Sequence, residues 1–279
     1  MSHEPGAGDT GPRLSGMLKP SMRIGDLGTL WKLARRRLRS EEDYRAFQSF
    51  QSALLSEYLE RFGTEFAGQR ILDLGSGIGG YSLDMAKRGA KVLSLDLVQP
   101  ARALRSDATV LVADALAIPF GQESIDLVFC ASLIEHIRRP ERLLAEIQRV
   151  LTMGGTCYLS FPPFFSPLGG HEFSPWHYLG EGWALRLSRG RRRFPAWVGA
   201  VYEVPTSPRS LSESFQTWGL FKMTIARAKH LIAAAGFETI DMSTRYLPLS
   251  AVRWPILGEV LTWHVQFLLK KPCSSDVPD

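Results

Sequence analysis

Glycines at 75, 77, 79 and 80 in Ile71-Leu-Asp-Leu-Gly-Ser-Gly-Ile-Gly-Gly-Tyr81 follow directly on a short apolar run, and no other segment constrains the chain as much. Closely spaced glycines let the backbone turn sharply at a strand end and let a ligand approach the main chain with no side chain between. Such a loop opens a βαβ unit, and the flanking sequence supplies further units. Apolar runs at 71–74, 91–95, 110–113, 126–131 and 156–161 read as strands. Helical periodicity at 81–88 and 140–151 separates them, with Gly154-Gly155 as the stop of the second helix. A helix over 224–235 capped by Gly236, a strand near 237–242 and a last strand near 261–269 complete the pattern. Short strands alternating with helices predict an α/β fold, a parallel, doubly wound sheet buried on both faces by helices.

The same glycines fit two cofactors. Read as Gly75, Gly77 and Gly80 they match the dinucleotide fingerprint of an NAD(P)-dependent oxidoreductase. Asp73 weighs against it, because a carboxylate beside the cradle repels a pyrophosphate and tolerates a cofactor that carries an amino group and a sulfonium. Asp96 ends the second strand, where an acid commonly accepts from ribose hydroxyls, and Asp114-Ala115 ends the third, placed to meet an adenine edge. The cofactor implied is S-adenosylmethionine, lying across the carboxyl ends of the strands.

These residues resemble the class I S-adenosylmethionine-dependent methyltransferases, in particular the type 11 group that includes the ubiquinone/menaquinone C-methyltransferases. The resemblance is carried by the glycine loop, Leu95-Asp96, Ala113-Asp-Ala-Leu-Ala-Ile-Pro-Phe120, 126–136, Glu146-Ile-Gln-Arg-Val-Leu-Thr-Met-Gly-Gly155 and Phe267-Leu-Leu-Lys-Lys-Pro272. It implies a seven-stranded Rossmann-like sheet, helices on both faces, whose last strand is antiparallel and inserted beside the sixth. It also implies that Asp73, Gly75, Ser76, Gly77 and Gly79 hold the methionine part, Asp96 and Leu97 the ribose side, and Asp114 with Ala115 the adenine, while Ala131 lines the site. Phe161-Pro-Pro-Phe-Phe-Ser-Pro-Leu-Gly-Gly-His-Glu172 and His177-Tyr-Leu-Gly180 are similar to a smaller bacterial subgroup, some of it mycobacterial.

Methyl transfer from a sulfonium is an in-line displacement, so the protein chiefly aligns the acceptor and excludes water. A hydroxyl acceptor also benefits from a base. His136, just past the fourth strand, and His171 and His177, beyond the fifth, are the candidates, which favours O-methylation; His136 equally reads as a helix-start residue packed on the cofactor. His171, Glu172 and His177 do not make a metal motif, since the two histidines stand six apart with no clear third ligand, and no metal is expected. Gly169-Gly170 reads as a hinge or tight turn with unusual backbone angles.

The chain of 279 residues divides into a loose tail at 1–20, a helical extension at 21–64, a cofactor-binding domain at 65–161 and 223–272, an inserted lid or substrate module at 162–222, and a tail at 273–279. Ser40 caps a helix expected over 41–62. Within the lid, Trp176, Trp183, Trp197 and Trp218 with Phe164, Phe165, Phe173, Phe194 and Phe215 form either a small core or flat walls for a small-molecule, saccharide or lipid-linked acceptor. Basic runs at Arg35, Arg36, Arg37 and Arg39 and at Arg186, Arg189, Arg191, Arg192 and Arg193 suit a solvated face or peripheral membrane contact. A net charge of +5 is a weak lean toward anionic partners, and no nucleic-acid module is evident. Three cysteines without CxxC spacing argue against a disulfide framework or zinc ribbon. With neither a secretory start nor an apolar stretch near 20 residues, a cytoplasmic location is expected. A non-catalytic protein that keeps the cofactor fold is the further alternative.

Overall fold

The computed structural model describes residues 24–37, 39–97, 109–188, 210–213, 219–247 and 250–273. Helices α1 (Asp26–Arg36) and α2 (Glu41–Arg61) precede the sheet, and Ser40 caps α2 by accepting from the Asp43 amide at 3.1 Å. Strand β1 (Arg70–Leu74), helix α3 (Gly80–Lys87) and strands β2 (Lys91–Asp96), β3 (Thr109–Val112) and β4 (Ile125–Ala131) follow. Helix α4 (Pro140–Val150) leads into β5 (Leu151–Phe161), and α5 (Glu181–Ser188) lies beyond it. The chain closes with α6 (Ile225–Ala234), β6 (Glu238–Thr244), the short α7 (Leu257–Leu261) and β7 (Val265–Lys270).

The seven strands form one sheet in the order β3-β2-β1-β4-β5-β7-β6. β1 to β5 run parallel, and β7 enters between β5 and β6 antiparallel to both. Alternate side chains of each strand serve opposite faces. Ile71 and Leu127 join Leu55, Tyr58, Leu59 and Met85 from α2 and α3. Leu72 and Val128 join Leu143, Leu144 and Ile147 of α4 with Ala228 and Ile232 of α6. Burial on both faces explains why the strands read as continuous apolar runs rather than alternating ones.

Two boundaries differ from expectation. β5 begins at Leu151 rather than 156, so Gly154-Gly155 lies inside the strand. The pairing jumps from Ile125↔Leu151 to Leu127↔Thr156, and Gly154 takes φ +75° while its amide donates to Lys271 O at 3.0 Å. The glycines therefore make a bulge, which sequence cannot tell from a helix stop. The last strand starts at Val265, and Leu261 belongs to a short helix with 42–54% of Val260, Leu261 and Leu257 exposed.

Of the segment after β5, residues 162–188, 210–213 and 219–222 are described. The Phe164 amide donates to Met223 O at 2.8 Å and closes the neck where this segment leaves and rejoins the sheet. Phe173, Ala184, Leu211 and Leu220 make a small core with Phe164, Trp176 and Leu185 against it, whereas Trp183 is 53% exposed beneath Arg186. Phe194, Trp197, Phe215 and Trp218, the arginines at 189 and 191–193, and the tail at 1–20 lie outside the described residues.

Gly169 and Gly170 are not a positive-φ hinge. Close packing explains them instead: a Cβ on Gly169 would fall 2.0 Å from Pro163 O, and one on Gly170 would fall 2.2 Å from His177 Nδ1. A backbone carbonyl cannot step aside as a side-chain tip can. Gly169→Ala is therefore expected to destabilise the protein by about 1–3 kcal/mol in denaturant unfolding; an unchanged midpoint would contradict this packing.

Candidate functional site

The glycine loop is tied to the end of β2. Gly75 and Ser76 amides both donate to Leu95 O, at 2.8 and 3.2 Å, and the Gly77 amide donates to Asp96 Oδ2 at 2.8 Å. Gly75, Gly77 and Gly79 take φ of +75°, +55° and +75°, which a side chain would strain, and Gly79 caps α3. A diphosphate cradle needs loop amides aimed at the ligand. Here three of them are spent on β2, one on a carboxylate.

The acid that guards the loop is thus Asp96. Asp73 lies beneath it, 2% exposed, accepting from Ser82 Oγ at 2.5 Å, with Ser94 Oγ 2.6 Å from Ser82. Burial raises its carboxyl to about 7 against the Ser82 hydrogen bond, which favours the ion, and the nearby Asp96 adds to the rise. Asp73 therefore supports the loop from below. Ser76 is buried at 4% within it.

Beside Asp96, Leu97 is 46% exposed and offers an apolar wall. Asp114 is exposed after β3, its Oδ1 accepting from the Leu116 amide at 2.8 Å in a turn that fixes the carboxyl, and Ala115 is buried against the core. Ala131 ends β4, half-buried. Because β3, β2, β1 and β4 are neighbours, these residues share one edge of the sheet. Carboxylate acceptors with an apolar face fit the hydroxyls, amino group and ring of S-adenosylmethionine.

On the β4 side, Ser132 turns the chain at φ +55° into a single helical turn, Ile134–His136. The Phe221 amide donates to Glu135 O at 2.8 Å and fastens the far end of the inserted segment to this turn. His136 Nδ1 lies 2.7 Å from Gly219 O; a carbonyl only accepts, so this nitrogen carries the proton and Nε2 holds the lone pair. The His171 ring packs edge-on at 4.9 Å, with Nε2 3.7 Å from Glu135 Oε1 and φ +47°. Burial lowers His136 to about 4 and pushes His171 down as well, helped by His136 and His177. Burial raises Glu135 to about 8. His177 is buried near His171 but turns to other partners, its Nδ1 3.4 Å from Ser174 Oγ and its ring packed on Phe164 and Tyr178.

The fold thus joins His136 to His171 and adds Glu135, an acid beside His136 at the end of an apolar strand that no spacing rule marks. It also ties distant segments together. Tyr81 donates to Gln51 Oε1 at 2.8 Å, Gln51 Nε2 to Tyr246 OH at 2.5 Å, and buried Arg245 to Tyr81 OH. His264 Nε2 meets Ser132 Oγ at 3.1 Å. A broad groove lined by Glu141, Gln148, Leu231 and Lys271 opens at the other end of the strands, away from all of these residues.

A family profile described as "Methyltransferase domain" matches residues 72–159. An uncharacterized methyltransferase of Mycobacterium marinum is 31% identical over 161 residues, 55% of this chain and 63% of the relative. One of Mycobacterium avium is 33% identical over 151 residues, 51% of this chain and 60% of the relative. The match thus spans about three fifths of these relatives' length. Among solved structures, a chain of the Haloferax volcanii complex of the Trm112 methyltransferase activator with a methyltransferase superposes at TM-score 0.52, with 18% identity over 90% of this chain and 98% of that one. The PH0226 protein of Pyrococcus horikoshii does so at 0.50, with 16% identity over 82% of this chain and 91% of that one. At these identities the likeness shows the fold alone.

Asp73 makes a pH prediction. An acid whose carboxyl titrates higher folded than unfolded gives stability that is lost as pH rises from about 4 to about 7, at roughly 1 kcal/mol per pH unit. Asp73→Asn removes that dependence, so thermal unfolding should show the variant gaining on the wild type across this window and no further above it. A difference independent of pH would contradict the buried placement.

Proposed function

We propose that this chain, whose residues 72–159 match a methyltransferase-domain profile, is a class I S-adenosylmethionine-dependent methyltransferase that moves a methyl group to a small-molecule, saccharide or lipid-linked acceptor, at a hydroxyl oxygen. One observation carries the choice of cofactor: the Asp96 carboxylate on the Gly77 amide at 2.8 Å, where a dinucleotide would need its phosphate. The bound cofactor supplies an already activated methyl on a sulfonium.

The protein's own work is then alignment. Asp96 and Asp114 accept from ribose and adenine donors, Leu97 and the Asp114-Ala115 turn flank the ring, and Asp73 keeps the loop's underside fixed through Ser82. The acceptor approaches from the turn after β4. There His136, its Nδ1 spent on Gly219 O, presents Nε2 as a pure acceptor that can hold a hydroxyl by its proton. This supports oxygen over carbon. His171, brought in by the inserted segment, faces the same space, and that segment's apolar residues exclude water from the displacement.

The N-terminal helix supports a peripheral position on an anionic membrane. α1 has no buried residue, Trp31 is 64% exposed with the Arg35 guanidinium 4.4 Å from its ring centre, and Ile24 is 75% exposed. An aromatic and an aliphatic side chain among arginines suit a headgroup layer. Among the described residues no helix is long and apolar enough to cross a membrane.

Three measurements test these readings. With methyl-labelled S-adenosylmethionine and separate lipid, saccharide and metabolite fractions, label should appear in an ether methyl of one fraction. Asp96→Ala should weaken cofactor binding at least about tenfold, the loss of a charge-assisted hydrogen bond. Tight binding of a nicotinamide dinucleotide would point to the oxidoreductase, and cofactor binding without any labelled product to a binding protein. Sedimentation with phosphatidylserine vesicles should retain the protein, and Trp31→Ala should reduce that retention; equal retention on neutral vesicles would remove the membrane reading.

A further inference from the structure

Glu135 poses a problem that the methyl-transfer reading leaves unsolved. The residue is 1% exposed, and among the described residues neither of its carboxylate oxygens has a hydrogen-bond partner. Burying a carboxylate without partners costs several kcal/mol, so the group takes up either a proton or a cation. The side chains around it decide which. His171 Nε2, also buried and without a hydrogen bond, lies 3.7 Å from Oε1, too far for a shared proton and on the right side for a common ligand. His136 turns its lone-pair nitrogen away from Gly219 O, which accepts from Nδ1 at 2.7 Å.

We propose that Glu135, His136 and His171 form a site for a divalent transition-metal ion. One ligand atom from each lies within 4.8 Å of the others. Metal bonds of about 2.0–2.2 Å place the ligands of one ion roughly 3–3.5 Å apart, so the widest pair closes by roughly 1.5 Å. Two imidazoles and one carboxylate suit zinc or iron(II) rather than magnesium or calcium, which prefer all-oxygen shells. The His136–carbonyl bond is the outer contact that orients a ligating histidine and fixes its tautomer. Three protein ligands leave a coordination position open, as in catalytic rather than structural sites. That position opens on the space assigned above to the acceptor, and with His136 Nε2 bound to the ion it would hold the acceptor hydroxyl in that nitrogen's place.

The site was not legible as a motif because its members come from different stretches. The sequence pairs His171 with His177, whereas the fold joins His171 to two ligands from the turn after β4. The inserted segment brings His171 to that turn, with the Phe221–Glu135 backbone bond holding the two together.

The test stands apart from methyl transfer. Untagged protein is stripped with chelator, titrated with Zn²⁺ by calorimetry, and loaded with Co²⁺ for visible absorption. The expected result is one equivalent bound, visible cobalt bands of a low-coordinate nitrogen/oxygen site, and a melting temperature raised by the metal. His171→Ala, whose side chain is 23% exposed and so tolerates truncation, and Glu135→Gln should each weaken binding more than 100-fold. That exceeds the about 10–100-fold cost of losing an outer-shell partner. His177→Ala should bind as the wild type does. Absence of stoichiometric binding, unchanged affinity in His171→Ala, or an equal loss in His177→Ala would overturn the site. Should Glu135→Gln not fold, His171→Ala and the cobalt spectrum decide.

Discussion

A single hydrogen bond, from the Gly77 amide to the Asp96 carboxylate at 2.8 Å, fixes what the ligand end of this sheet can hold. It joins the loop after β1 to the end of β2, and with the two amides on Leu95 O it leaves the loop closed over β2. The positive φ values of Gly75, Gly77 and Gly79 follow from that closure. A negative charge then stands where phosphate would lie. Ligands rich in hydroxyl and amino donors are welcomed there, and diphosphates are repelled.

Around this fixed point the strand order supplies the rest. With β3, β2, β1 and β4 side by side, acidic strand ends lie on one flank of the loop and the turn after β4 on the other. The inserted segment leaves β5 and returns at Met223, so it is tethered at a neck and reaches over to that turn. Its contribution is His171, held at φ +47° against His136. Non-glycine residues in the left-handed region, here Ser132 and His171, persist where surrounding structure over-determines them. Both lie at this junction.

Much of the scaffold was legible because buried parallel strands and amphipathic helices write their period into the chain. Ser40 announced the start of α2, and its side chain accepts the cap hydrogen bond; the helix expected from Thr224 begins one residue later, with Thr224 as its cap. The acids at strand ends were legible too, since position on a strand fixes them. Direction was not. Asp73 and Asp96 look alike in sequence, and only packing shows that one faces Ser82 below and the other faces the loop. Gly154-Gly155 imitated a helix stop because a bulge and a cap ask the same backbone freedom of glycine. Glu135, Arg245 and His264 were hidden for another reason: their neighbours come from distant parts of the chain, and no local pattern records such meetings.

The central claim concerns the charge at the glycine loop, and a crystal structure with S-adenosylhomocysteine bound tests it most directly. The account predicts the Asp96 carboxylate bridging the Gly77 amide and the ribose hydroxyls, with the base between Leu97 and the Asp114-Ala115 turn. A structure with a dinucleotide's diphosphate seated on the amides of Ser76 to Gly79, and Asp96 swung away, would contradict it.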